Sequence, residues 1–172
     1  MSYATKTSRL IHASVETVYN AFTDAHILEG WMAPKGMKGK IHHYNWREGG
    51  GYEMSLFYDD EKKHHGKTNS KEDRYKADII KLIPYKLIIL EINFKTDNPD
   101  FAGTMTTEII LDPKDAGTNV SFTFKDLPPG ISAEDNEQGT LSSLENLARY
   151  AEAESEIDEQ VSDGSANAFD GK

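Results

Sequence analysis

The stretch "SAEDNEQGTLSSLENLARYAE", Ser132 to Glu152, reads as one helix, with Leu141, Leu144, Leu147 and Ala148 spaced to cover an apolar face. Ser132 and Asp135 give it a start resembling a capping box. Its first turns carry Gly139, Thr140, Ser142 and Ser143, where a packing helix normally carries bulk. Glycine inside a helix costs about 1 kcal/mol relative to alanine. A helix thinned in this way against a curved sheet leaves a hollow that larger side chains would fill.

The sheet is legible just before this helix. "LPPG", Leu127 to Gly130, stops a run of strands. "GKIHHYNWRE" turns at Gly49 to Gly51 into "YEMSLFY", a hairpin by composition. "RYKADIIKLI" and "YKLIILEINF" meet at Pro84, and "GTMTTEIILD" and "TNVSFTFKD" meet at "PKDAG". "DDEKKHHGKTNSKED" reads as a polar loop or an exposed hairpin tip. Ahead of these lie a short strand, "SRLIH", and a helix, "SVETVYNAFTD", with Val15, Val18, Tyr19 and Phe22 at helical spacing and Ser14 as N-cap. A second short helix, "AHILEGWMAP", is closed by Gly30 and Pro34. The order of strand, two short helices, six strands and long helix predicts an α+β fold, with consecutive antiparallel strands and the helices on one side.

Alternation assigns the inner face. Val120, Phe122 and Phe124 alternate with Asn119, Ser121, Thr123 and Lys125. The same reading turns Met105, Thr107, Ile109 and Leu111 inward, with Ile88, Leu90, Ile92 and Phe94, then Tyr75, Ala77 and Ile79, and Tyr52, Met54 and Leu56. Glu53, Glu91 and Glu108 fall outside, so none of these carboxylates is read as an inner acid or base. In the second strand Tyr44 and Trp46 share one face with His42, while Ile41 and His43 share the other; Tyr44 and Trp46 are read as inward.

Composition narrows the class. A chain of 172 residues makes one domain, expected over residues 1–155. Residues 156–172 are expected to form an acidic tail without fixed structure: seven acids from Glu152 to Asp170 against Lys172 place −6 of the −10 net charge near this end. Phe169 is the one anchor that a docking peptide there would have. The acidic balance argues against nucleic acid and anionic lipid as main partners. With no cysteine, no apolar leader in "MSYATKTSRL" and no unbroken membrane span, a cytoplasmic monomer or weak homodimer is expected. The pairs His42-His43 and His64-His65 lack any metal-ligand spacing, and neighbouring strand residues point to opposite faces; no metal or cofactor is expected.

Several signatures resemble the bacterial relatives of the Hsp90 ATPase activator's C-terminal domain, within the superfamily of START lipid-transfer domains, the birch-pollen allergen and polyketide cyclases. They are "ASVETVYNAFTD", Trp31 with Pro34, "NWREGGGYEM", "GTNVSFTF" and "DNEQGTLSSLENLARYAE", spanning about residues 5 to 153. The family's Asp-x-Arg-x-Gly-Gly-aromatic pattern fits Asn45, Arg47, Gly49, Gly50 and Tyr52 only with one extra glycine and with Asn for Asp. The resemblance implies a helix-grip fold, a curved sheet around a long C-terminal helix with a cavity between. Many relatives carry Trp directly after the helix glycine; Thr140 stands there in this chain, which is expected to enlarge the hollow.

A small hydrophobic ligand, aromatic, polyketide-like or lipid-like, is therefore expected between sheet and helix, with a stress-related role as a further expectation. The sheet contributes Tyr44, Tyr52, Met54, Tyr75, Leu90, Phe94, Met105, Ile109, Phe122 and Phe124 to this site. Trp31 comes from the second helix, and Gly139, Thr140, Ser143 and Leu144 come from the last. The resemblance also leaves two alternatives, an Hsp90-type co-chaperone or other protein-interaction module and a polyketide cyclase-like enzyme. Tyr52, Tyr75 and, if inward, His43 are the candidate groups for the latter.

Overall fold

A computed structural model describes residues 4–59 and 72–170, with side chains as far as residue 160. His64 and His65 and the side chain of Phe169 lie outside these. Strand β1 (Ala4–Ile11) leads into α1 (Val15–Asn20) and α2 (Ala25–Met32). Ser14 Oγ accepts from Thr17 N and Asp24 Oδ1 from Ile27 N, so each short helix has a side chain on its free amides. Gly30 does not close α2. It lies inside the helix, which ends at Ala33, whose extended backbone is the conformation that a following proline favours.

Strands β2 (Met37–Asn45), β3 (Gly51–Tyr58), β4 (Glu72–Ile83), β5 (Leu87–Phe94), β6 (Met105–Lys114) and β7 (Gly117–Lys125) follow, then α3 (Ala133–Asp170). Every pairing is antiparallel, and the sheet runs β1-β7-β6-β5-β4-β3-β2. The result is the helix-grip α+β arrangement, a curved open sheet closed on one face by α3. At Gly39 a Cβ would stand 2.5 Å from Met54 Cε and 2.6 Å from the Glu29 carbonyl oxygen, so glycine lets α2 lie against β2. Among the described residues no helix is long and apolar enough to cross a membrane.

A bulge between Ile41 and His43 corrects the reading of β2. Ile41 pairs with Met54 and Tyr44 with Tyr52, both inner residues, while His43 pairs with Glu53 and His42 Nε2 lies 2.8 Å from Ser55 Oγ. The extra residue therefore puts both histidines on the outer face, which simple alternation forbids. Trp46 packs half-buried beside Tyr19, Phe22 and Tyr44, and its indole N–H donates to the Tyr19 hydroxyl.

In α3 the buried stripe is Thr140, Ser143, Leu144, Leu147, Ala148 and Ala151. Leu141, expected on it, is 43% exposed, one residue and about 100° round the helix from Thr140. The acidic segment set apart by composition continues α3 as helix to Asp170, and Glu156 to Gln160 are exposed. Glu, Ala and Gln are good helix formers, so backbone helix continues where packing has ended.

Candidate functional site

Between the inner face and the first turns of α3 lies a chamber of about 370 Å³. Leu90, Ile92, Phe94, Met105, Phe122 and Phe124 form its sheet wall, and Tyr52 and Tyr75 stand edge to face at 6.2 Å. The opposite wall is Gly139, Thr140 and Ser143 with Met32 and Pro34. A Cβ on Gly139 would meet nothing nearer than Pro34 Cγ, at 4.0 Å. The glycine is therefore not demanded by tight packing, and its missing side chain belongs to the hollow. Phe101, from the 3-10 turn Pro99–Phe101, and Ile131 also line it.

Five of the residues expected at the site stand elsewhere. Trp31 is buried against Phe22 and donates its indole N–H to the Ala21 carbonyl at 2.9 Å; it borders a separate groove with His26 and Tyr150. The Tyr44 hydroxyl donates to the Phe22 carbonyl at 2.7 Å. Met54, Ile109 and Leu144 are fully buried in the solid core beside the chamber. Inward alternation places a residue on the concave face but does not say whether helix or hollow stands above it.

Ser143 and its neighbours also have a second task. Ser143 Oγ donates to the Met32 carbonyl at 2.7 Å, and Asn146 Nδ2 donates to Ala33 O at 2.9 Å and to Trp31 O at 3.3 Å. These are last-turn carbonyls of α2, which a helix end leaves without internal partners. Ser142 Oγ accepts from Lys35 N at 2.8 Å. Small polar residues on α3 thus tie down the end of α2 as well as leaving space.

Asp73 adds to the chamber a carboxyl group that the inward alternation did not include. It is 1% exposed, lines the chamber and accepts a hydrogen bond from the Tyr58 hydroxyl at 2.7 Å. Burial, then the bond to Asp73, raises the Tyr58 pKa. Asp73 shares the parity of Tyr75 in β4, a signal hidden because that strand begins earlier, at Glu72, than its apolar run suggests. Thr107 also lines the chamber, as do Tyr58, Asp135 and Asn136, which sequence reasoning left out of the site.

Glu53 is outward as expected, but it is buried between Lys95 Nζ at 2.8 Å and Arg74 Nε at 2.6 Å. The Lys95 hydrogen bond, aided by Arg74, holds its pKa down at about 2 against the opposing effect of burial. Inside the chamber, burial pushes Tyr52 up to about 12 and Tyr75 well above its ordinary value. Both phenols stay protonated at neutral pH and serve as hydrogen-bonding groups rather than bases.

Fold and chamber together define a START-like, polyketide-cyclase-like helix-grip protein. Residues 12–152 match the family of Activator of Hsp90 ATPase homolog 1-like proteins, and the chain belongs to that family. Among solved structures, it is similar to a Chromobacterium violaceum protein at 27% identity and TM-score 0.76, covering 87% of this chain and 96% of that one. A Rhizobium loti protein, 22% identical with TM-score 0.67 over 87% and 97% of the two chains, has the same fold. So does a Staphylococcus epidermidis protein, at 16% identity and TM-score 0.68 over 88% and 90%. No curated protein matches the chain.

Proposed function

We propose that, of the two roles open to this family, ligand-binding or co-chaperone-like module, the chain performs the first: it binds a small hydrophobic molecule in the chamber. The observation that carries this reading is the unfilled, largely apolar volume of about 370 Å³ under a helix whose facing residues are Gly139, Thr140 and Ser143. Such a volume lies within the range of small-molecule pockets, and Met105 and the aromatic rings suit adaptable apolar contact.

Burying roughly 300 Å² of ligand surface contributes about 7 kcal/mol gross. Association costs of several kcal/mol reduce this to affinities of about micromolar or weaker. A thermal-shift screen of flat aromatic and polyketide-like compounds tests the reading. At saturation a binder should raise Tm by about 5–10 °C. Thr140→Trp, which fills the chamber, should abolish the shift while leaving the variant folded. The family's description supports the other reading, contact with an Hsp90-type chaperone. Retention of the chain by immobilised bacterial Hsp90, with no Tm shift from any compound, would replace the ligand reading with that one.

A further inference from the structure

Thr107 sits on β6 with Leu90 on one side and Phe124 on the other, neither of which offers its side chain an acceptor. It is 1% exposed and lines the chamber, and its Oγ1 has no hydrogen-bond partner. A buried hydroxyl without a partner is destabilising, so native interiors rarely keep one without use.

Several other polar groups at the wall are engaged. Thr140 Oγ1 donates to the Asn136 carbonyl and Ser143 Oγ to that of Met32. Thr5 Oγ1 donates to the Asn136 side chain, and the Tyr75 hydroxyl lies against Met54 Sδ. Thr107 alone among the described buried side chains has an N or O atom left over. Rotation of χ1 exchanges its methyl and hydroxyl between staggered positions, so the hydroxyl can turn to whatever occupies the chamber.

We propose that Thr107 is the polar anchor of the chamber, and that the ligand is a flat aromatic molecule without an acidic group, whose carbonyl oxygen accepts its hydrogen bond. The proposal rests on the ligand-binding reading above and adds the ligand's chemistry to it. Size follows from volume: a cavity of about 150 Å³ holds benzene, so one of this size takes two or three fused rings. Charge follows from the wall, where Asp73 and Asp135 disfavour a carboxylate or sulfonate ligand.

Fluorenone and fluorene, tricyclic molecules of about fourteen heavy atoms, have nearly the same shape and differ in one carbonyl. Their affinities are measured by titration calorimetry on the full chain, on Thr107→Val and on Thr107→Ser. Thr107→Val should weaken fluorenone about tenfold and leave fluorene unchanged. Thr107→Ser should keep the wild-type ratio, and Thr107→Val should melt no lower than wild type, since it removes only the orphan hydroxyl. If fluorenone affinity is indifferent to Thr107→Val while both compounds bind, the anchor is wrong and the ligand reading survives. A lower melting point for Thr107→Val, with both affinities falling together, assigns Thr107 a structural role and also overturns the anchor. If neither compound binds any of the three chains, the proposed ligand chemistry is overturned, and the thermal-shift screen above decides the ligand reading separately.

Discussion

The two halves of α3's buried stripe face the same sheet and do opposite things. Leu144, Leu147, Ala148 and Ala151 close completely against the core, each no more than 1% exposed. Gly139, Thr140 and Ser143, nearer the start of the helix, stand over the chamber. The helical repeat is the same in both halves, so periodicity does not distinguish them. Side-chain volume does, and the difference teaches that one amphipathic helix can be a core element at one end and a cavity roof at the other.

The strongest test of that contrast is Leu147→Ala. Truncating a fully buried leucine costs about 2–5 kcal/mol, measured by urea unfolding. A loss under about 1 kcal/mol would show that the C-terminal half is as loosely packed as the other and end the comparison.

Next comes the chamber's titration. Burial raises the folded-state pKa of Tyr52 from 10.0 to about 12, so the folded chain holds this proton more tightly than the unfolded one. Its contribution is complete below the unfolded value and is lost as pH rises through the folded value. The amount is on the order of 3 kcal/mol. Phenolate absorbance should show Tyr52 ionising only well above pH 10, and Tyr52→Phe should flatten that part of the stability profile. Ionisation near the ordinary tyrosine value would mean that the chamber is wet.

The smallest expected effect has the opposite sign. Gly139→Ala should stabilise the protein by about 0.5–1 kcal/mol, because the new methyl meets only Pro34, at ordinary contact distance. A destabilisation would show that the glycine is needed for close packing and that the roof of the chamber is full.

Much of this was legible beforehand for a definite reason. Alternation in β6 and β7 and the cap Ser14 are local patterns, set by neighbours in sequence. Tyr52, Tyr75, Phe94, Met105 and Phe122 were found as chamber wall because they share the concave face. Met54 and Ile109 share it equally and stand in solid core, since what covers each depends on where α3 crosses the sheet. The β2 bulge is not legible in the sequence because an extra residue leaves no mark on composition, yet it moves His42 and His43 to the outside together. Asp73 is not legible as an inner residue because an acid beside a polar loop reads as solvent-facing, although Tyr58 and the fold bury it.

The sequence by itself determined the order of elements, the inner face of most strands and the thinness of α3, because propensity, capping and side-chain volume act within a few residues. Tertiary structure decided which inner residues face a void, which carbonyls of α2 Ser143 and Asn146 would close, and that the Thr107 hydroxyl would be left without a partner. Those outcomes depend on distances between elements far apart in the chain, and such distances are set only when the whole sheet has curved around its helix.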